Sequence, residues 1–219
     1  MNILILGGGG REHSLAWAIA QNPKCDRLIV SPGNAGIANL AECIAMNIVD
    51  GDEILTFVKD NSIDFVIIGP EDPLAAGIAD VLRAEDVLCF GPSQAAAQLE
   101  ASKLFTKSVC DAAKAPTAVY DYFTDKQSAQ DYVKKMGAPI VVKADGLAAG
   151  KGVIVAMTLP EALEALDYMF GGELGIAGAE VVIEEFMQGE EASYFILCDG
   201  TDVLAIGTAQ DHKRVGDGD

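Results

Sequence analysis

Lys143-Ala-Asp-Gly-Leu-Ala-Ala-Gly-Lys-Gly152 is the stretch on which the reading of this chain turns. An apolar β run, Pro139-Ile-Val-Val-Lys143, leads into it and a second, Val153-Ile-Val-Ala156, leads out. Glycines at 146, 150 and 152 let the backbone turn with positive φ and approach a ligand with no Cβ in the way. Successive N–H groups in such a turn make a concave anion site, and Lys143 and Lys151 add full positive charge. The simplest ligand for that combination is a nucleoside triphosphate.

Two familiar phosphate loops do not fit. The Walker loop needs four residues before its Gly-Lys, then Ser or Thr, then a helix. Here three residues separate Gly146 from Gly150-Lys151, Gly152 stands in the hydroxyl position, and the following run is β-branched. Such a run favours a strand. The spacing therefore predicts a flexible loop between two strands; a glycine-rich hairpin with an incidental lysine is the plainer alternative. The dinucleotide pattern fares no better at the N-terminus. After Gly7 and Gly9 the third glycine position holds Glu12, and Arg27-Leu-Ile-Val-Ser31 ends without the acidic residue that would hold a ribose.

A chain of 219 residues, 50% hydrophobic with 23 glycines and few aromatics, suits an α/β protein rich in turns. No apolar run approaches about 18 residues, so no membrane span is expected. Met1-Asn-Ile-Leu-Ile-Leu6 enters a strand directly without a basic leader, and a cytoplasmic protein is expected. Five scattered cysteines and two histidines point to free thiols, with neither a zinc site nor a disulfide framework. A net charge of −18 argues against nucleic acid as a partner.

From the N-terminus, Asn2–Leu6 reads as a strand covered on both faces, followed by a glycine turn and a helix over 11–21. Strands at 27–31, 64–69 and 87–91 alternate with helices at 52–60 and 74–84, giving a βαβ domain of about 90 residues with a parallel sheet. Gly7–Gly10, Pro32-Gly-Asn-Ala-Gly36 and Gly69-Pro-Glu-Asp-Pro73 fall at the carboxyl ends of those strands, where such sheets bind small ligands; ordinary turn chemistry would explain the same residues. Ser93 is an N-cap for one long helix over 94–114, carrying Lys103, and Pro116 marks a boundary. Beyond it come a strand at 118–123, a helix at 126–136, the glycine loop with its strands, and a helix at 160–169. Strands at 181–185, 191–197 and 203–207 follow, the last two turning at Asp199-Gly200 as a hairpin. Glu184-Glu-Phe-Met-Gln-Gly-Glu-Glu191 offers apolar walls, backbone groups and carboxylates of the kind a purine nucleoside needs.

Seven blocks in order resemble the phosphoribosylamine–glycine ligase family of the ATP-grasp superfamily. They are Gly-Gly-Arg-Glu-His (9–13), Pro-Gly-Asn-Ala-Gly (32–36), Gly-Pro-Glu-Asp-Pro-Leu (69–74), Leu-Glu-Ala-Ser-Lys (99–103), the 143–153 stretch, Glu-Glu-Phe-Met-Gln-Gly-Glu-Glu-Ala-Ser (184–193) and Gln-Asp-His-Lys-Arg-Val-Gly-Asp (210–217). The resemblance implies an α/β chain whose Rossmann-like substrate domain spans 1–102. A partial ATP-grasp domain spans 103–219, with 117–187 covering the nucleotide and 188–219 opening the central part. It implies an ATP-dependent ligase of purine biosynthesis that joins glycine to 5-phosphoribosylamine through glycyl phosphate.

By the same resemblance Lys103 and Lys143 hold phosphates, and the loop with Gly146, Gly150, Lys151 and Gly152 closes over them. Glu184, Glu185 and Met187 meet the adenine side and Glu191 the ribose. Gly8, Gly9, Gly10, Arg11, Glu12, Pro32, Gly33, Asn34, Gly36, Pro70, Glu71 and Asp72 hold the sugar phosphate, while Asp211, Lys213 and Arg214 face the reacting groups. The family's Mg2+ or Mn2+ ligands lie past the position matching Asp219, so no metal ligand is expected in this chain, which reads as about the N-terminal half of such an enzyme, inactive alone. The hairpin near Ala209 would then present a sheet edge for the remainder to cover. Fusion to further ligase domains stays open, as do two other readings: a formate- or bicarbonate-using purine enzyme, and a non-catalytic nucleotide-binding module.

Overall fold

The structure is a computed structural model and describes residues 1–146, 152–172, 174 and 180–210. Five parallel strands, β1 (Asn2–Gly7), β2 (Arg27–Pro32), β3 (Glu42–Cys43), β4 (Phe65–Ile68) and β5 (Cys89–Phe90), form a sheet in the order β3-β2-β1-β4-β5. β1 lies at its centre and is apolar without alternation because both faces are covered. Leu4 and Leu6 pack with Ile29, Val66 and Ile68 against Ile54 and Val58 of α2 (Gly51–Asp60) and Ile78 and Leu82 of α4 (Ile78–Ala84). Ile3 and Ile5 pack on the opposite face with Val30, Ile67 and Ala16 of α1 (Gly10–Ala20). α2 starts where Asp50 accepts hydrogen bonds from the N–H groups of Asp52 and Glu53 at 3.1 and 3.0 Å.

Two helices depart from the sequence expectation. The stretch read as one helix over 74–84 is α3 (Glu71–Ala75) and α4, separated at Gly77, which takes a left-handed φ of 87°. Apolar periodicity runs across that break, so the pattern conceals a turn that glycine permits. The helix read over 94–114 is likewise two, α5 (Gln94–Ala101) and α6 (Lys103–Ala113). Ser102 between them is extended, with φ −132° and ψ 120°. Its hydroxyl caps α6 by accepting from Phe105 N at 3.0 Å, and side-chain competition of this kind is why serine favours helix ends over interiors. Lys103 is thus the first residue of a helix and not a mid-helix lysine.

The second sheet is antiparallel, in the order β6-β9-β7-β8, from β6 (Tyr120–Phe123), β9 (Val181–Glu185), β7 (Ile140–Ala144) and β8 (Val153–Ala156). The runs expected on either side of the glycine stretch are both strands, and residues 147–151 between them lie outside the described residues. One face carries Ile140, Val142, Ala144, Ala156, Val181 and Ile183, and packs on α7 (Lys126–Met136) and α8 (Leu159–Phe170) through Ala129, Val133, Ala162, Leu166 and Met169. A final hairpin, β10 (Ala192–Cys198) with β11 (Val203–Gln210), pairs antiparallel and lies almost wholly exposed. No helix among the described residues is long and apolar enough to cross a membrane.

Candidate functional site

Strand alternation sends every second side chain of the antiparallel sheet away from α7 and α8. Val141 lies opposite Glu184 and opposite Val155, and Lys143 opposite Val182 and Val153. Residues directly opposite share a face, so Val141, Lys143, Val153, Val155, Val182 and Glu184 form one surface. Val153 and Val155 on it are exposed. The result is an apolar floor with charge at one side.

The charge is arranged in pairs. Lys143 Nζ donates to Glu184 Oε2 at 2.7 Å, across the diagonal between β7 and β9. The other oxygen, Oε1, lies 3.3 Å from Nζ of Lys107, which rises from α6. Lys103 approaches from the start of the same helix, its Nζ donating to the carbonyl of Gly146 at 3.3 Å. Desolvation pushes the Lys103 ammonium below the ordinary lysine range; nearby Asp145 opposes the shift and Lys143 adds to it. Lys103 and Lys143 therefore flank the root of the glycine loop, where an anion would relieve their repulsion.

Asp145 sets this geometry. Its Oδ1 accepts from the backbone N–H groups of Lys103 and Leu104 at 2.5 and 3.1 Å, and its Oδ2 accepts from Ser102 Oγ at 2.9 Å. A carboxylate at a helix N-terminus meets free N–H groups and the positive end of the helix dipole. The contact ties the last turn before the loop to the start of α6. Neither Asp145 nor Lys107 was singled out from sequence. The available signals were an aspartate inside the glycine stretch and a lysine four residues after Lys103, on the same helical face.

Glu185 and Met187 occupy the expected stretch. Glu185 N donates to Val119 O at 2.9 Å and its Oε1 accepts from Val119 N at 2.8 Å, while the Met187 side chain is exposed. Glu191 is exposed just ahead of β10. Gly152 is buried before β8. Gly150, Lys151, Asp211, Lys213 and Arg214 lie outside the described residues.

The second group of expected residues gathers at the carboxyl edge of the parallel sheet. β1 and β2 end in register at Gly7 and Pro32, so their following turns face each other. Asn34 joins them: its Nδ2 donates to Gly8 O at 2.9 Å, and its Oδ1 accepts from Gly36 N and Ile37 N at 2.8 and 2.9 Å. Gly8 must be glycine here because a Cβ would stand 2.5 Å from the carbonyl oxygen of Gly33. Glu12 is buried and its Oε2 accepts from Gly9 N at 2.6 Å, so it holds the turn from within. Arg11 reaches across to the third turn, donating to Gly69 O at 2.8 Å and Glu71 Oε1 at 3.1 Å. Pro70 precedes α3, with Glu71 and Asp72 in its first turn. Gly9 and Gly10 are exposed at the mouth of this rim. Among the described residues no three His, Cys, Asp or Glu side chains are grouped to hold a metal ion.

Comparisons with known proteins match this architecture from end to end. Residues 1–100 match the family model of the phosphoribosylglycinamide synthetase N domain, and residues 101–219 that of its ATP-grasp (A) domain. A phosphoribosylamine–glycine ligase of Mesorhizobium japonicum is 60% identical over 219 residues, covering all of this chain and 52% of the relative. The crystal structure of the phosphoribosylamine–glycine ligase of Thermotoga maritima is 30% identical, with a TM-score of 0.81 over all of this chain and 52% of that one. The biotin carboxylase domain of Hydrogenobacter thermophilus 2-oxoglutarate carboxylase, solved with MgADP, ADP and bicarbonate, has a TM-score of 0.75 over 95% of this chain and 50% of that one. At 15% identity it shows the shared fold alone. The chain spans about half the length of the curated relatives it matches, and it belongs to the phosphoribosylglycinamide synthetase family.

Proposed function

We propose that the chain carries the phosphate-binding and sugar-phosphate-binding parts of a phosphoribosylamine–glycine ligase of purine biosynthesis. In this reaction ATP transfers its terminal phosphoryl group to the carboxylate of glycine, giving ADP and glycyl phosphate. The amine of 5-phosphoribosylamine then attacks the acyl carbon, the amide bond forms, and phosphate leaves.

The observation that carries this reading is the convergence of Lys103 and Lys143 on the root of the glycine loop at Gly146, beside an apolar strand face. Two ammonium groups there would hold the phosphates while the floor of Val141, Val153 and Val155 takes the base. Backbone groups of Glu185 and Met187 would meet the adenine edge, and Glu191 the ribose. At the parallel sheet the Gly8–Gly10 turn, with Arg11, Pro32, Gly33, Asn34, Gly36 and Pro70–Asp72, would hold the sugar phosphate. Glu12 would support that turn. Asp211, Lys213 and Arg214 keep their proposed place beside the reacting groups, and Gly150 and Lys151 theirs over the phosphates. Positioning and charge neutralisation are what phosphoryl transfer asks of a protein. Mg2+ or Mn2+ would supply neutralisation of the phosphate charge when bound, and no ligand for either is assigned among the described residues. The proposed setting is cytoplasmic and the proposed partners are small molecules, with neither nucleic acid nor membrane.

Calorimetric titration with MgATP tests the phosphate site. Lys143→Ala should weaken binding by at least about tenfold, the scale of one buried charge-assisted contact. Unchanged affinity would overturn the assignment. Glycine-dependent phosphate release in the protein that carries this chain separates the ligase from a formate- or bicarbonate-using enzyme and from a non-catalytic module.

A further inference from the structure

Lys107 is the most completely enclosed cation among the described residues. Its Nζ donates to Thr117 Oγ1 at 2.7 Å and to the carbonyl of Ala118 at 3.0 Å, and lies 3.3 Å from Glu184 Oε1. It also stands 5.1 Å from the centre of the Tyr120 ring. Two of the ammonium's three donors are taken by Thr117 and Ala118, and Glu184 faces it as an ion-pair partner. The side chains of Lys107 and Glu184 are each 7% exposed, whereas that of Lys143 is 25% exposed.

Glu184 is therefore shared. One oxygen serves a cation sealed in the interior, and the other serves a cation that can reach solvent. That division matters if Lys143 is to leave. Taking away the only partner of a buried carboxylate strands a charge and is strongly destabilising. With Lys107 in place, Lys143 can turn to an incoming anion while Glu184 keeps a counter-ion.

We propose that Lys107 is a positioning residue: it is the standing counter-ion of Glu184, and this is what makes Lys143 exchangeable between Glu184 and the phosphates of a nucleotide. The proposal rests on the reading of Lys143 as a phosphate ligand. Lys107 touches neither nucleotide nor glycine; it acts through Glu184. Without it, Glu184 would retain Lys143 as its one ion-pair partner among the described residues, and nucleotide would have to compete for that lysine.

The test uses Lys107→Met, Lys107→Arg and the double variant K107M/E184Q, with two readouts: MgADP affinity by calorimetry, and solvent exchange of the Lys143 ammonium by 15N NMR without nucleotide. K107M should weaken MgADP binding by about tenfold or more, as for disturbing a buried charge network, and slow exchange of the Lys143 ammonium. K107R should stay near the unsubstituted protein. K107M/E184Q should recover most of the loss, because the carboxylate that traps Lys143 is gone. A K107M defect that E184Q does not recover, or a Lys143 signal that K107M leaves unchanged, overturns the proposal. Failure of the unsubstituted protein to bind MgADP would sink the phosphate reading instead, and the ammonium signal would still decide whether Lys107 governs Lys143. Should K107M alone fail to fold, a folded double variant supports the proposal and an equally unfolded one overturns it.

Discussion

Asp145 and Lys103, 42 positions apart in sequence, are joined by a hydrogen bond of 2.5 Å from the Lys103 backbone N–H to Asp145 Oδ1. With Leu104 N and Ser102 Oγ on the same carboxylate, the end of β7 becomes the cap of α6. The contact places Lys103 at the first turn of a helix and directs its side chain to Gly146.

Asp145→Ala should therefore destabilise the fold by roughly 1–3 kcal/mol, the cost of leaving half-buried donors without a charged acceptor. Urea denaturation followed by circular dichroism measures it. Asp145→Asn should lose less, since an amide oxygen can still accept. Equal losses in the two variants would show that the charge, and not the capping geometry, is what counts.

The glycines of the rim should differ sharply in their tolerance of alanine. At Gly8 an added Cβ meets a backbone oxygen at 2.5 Å, which no rotamer change can relieve. Overpacking of this kind costs about 1–3 kcal/mol. At Gly10, the first residue of α1, an added Cβ meets nothing within 4 Å. Thermal unfolding of Gly8→Ala and Gly10→Ala compares them: the first should fall by several degrees and the second should not. A harmless Gly8→Ala would mean that the two turns are free to separate.

Acid should loosen the helices behind the antiparallel sheet. Asp125 accepts from Ser128 N at the start of α7, and Glu161 accepts from Met157 N at the start of α8. Those backbone hydrogen bonds hold both carboxyls below their ordinary values. A group depressed in the folded state contributes stability above its unfolded value and loses it as the pH falls through the folded one. The loss therefore lies below about pH 4, the ordinary carboxylate range. Urea midpoints at about pH 6 and pH 3.5 should differ less in Asp125→Asn, which caps without titrating. An unaltered difference would remove Asp125 from the account.

Amide exchange should divide the second half of the chain. β7 and β9 lie inside the four-stranded sheet over a closed apolar layer, whereas every residue of β11 is exposed. A two-stranded ribbon with no covered face is marginal in water. Hydrogen exchange read by mass spectrometry should find 192–210 exchanging far faster than 140–144 and 181–185. Comparable protection would mean that a second surface covers the hairpin, whose Tyr194, Phe195, Val203, Leu204 and Ile206 are exposed.

The amino-acid sequence by itself determined the order and type of most elements, the two strands that flank the glycine stretch, and the hairpin at 192–210. Those follow from local causes: apolar runs, β-branched residues, caps and glycine turns act within a few neighbouring residues. The motif blocks likewise carried the family. Only the tertiary structure decided where the long helix breaks, because Ser102 leaves the helical path to join a carboxylate 43 positions away. It alone decided that Glu184 is shared between Lys107 and Lys143, since strand register and the seating of α6 bring those three charges together. Burial makes such contacts strong in the folded protein, yet the residues are far apart in the chain, and no local period records them.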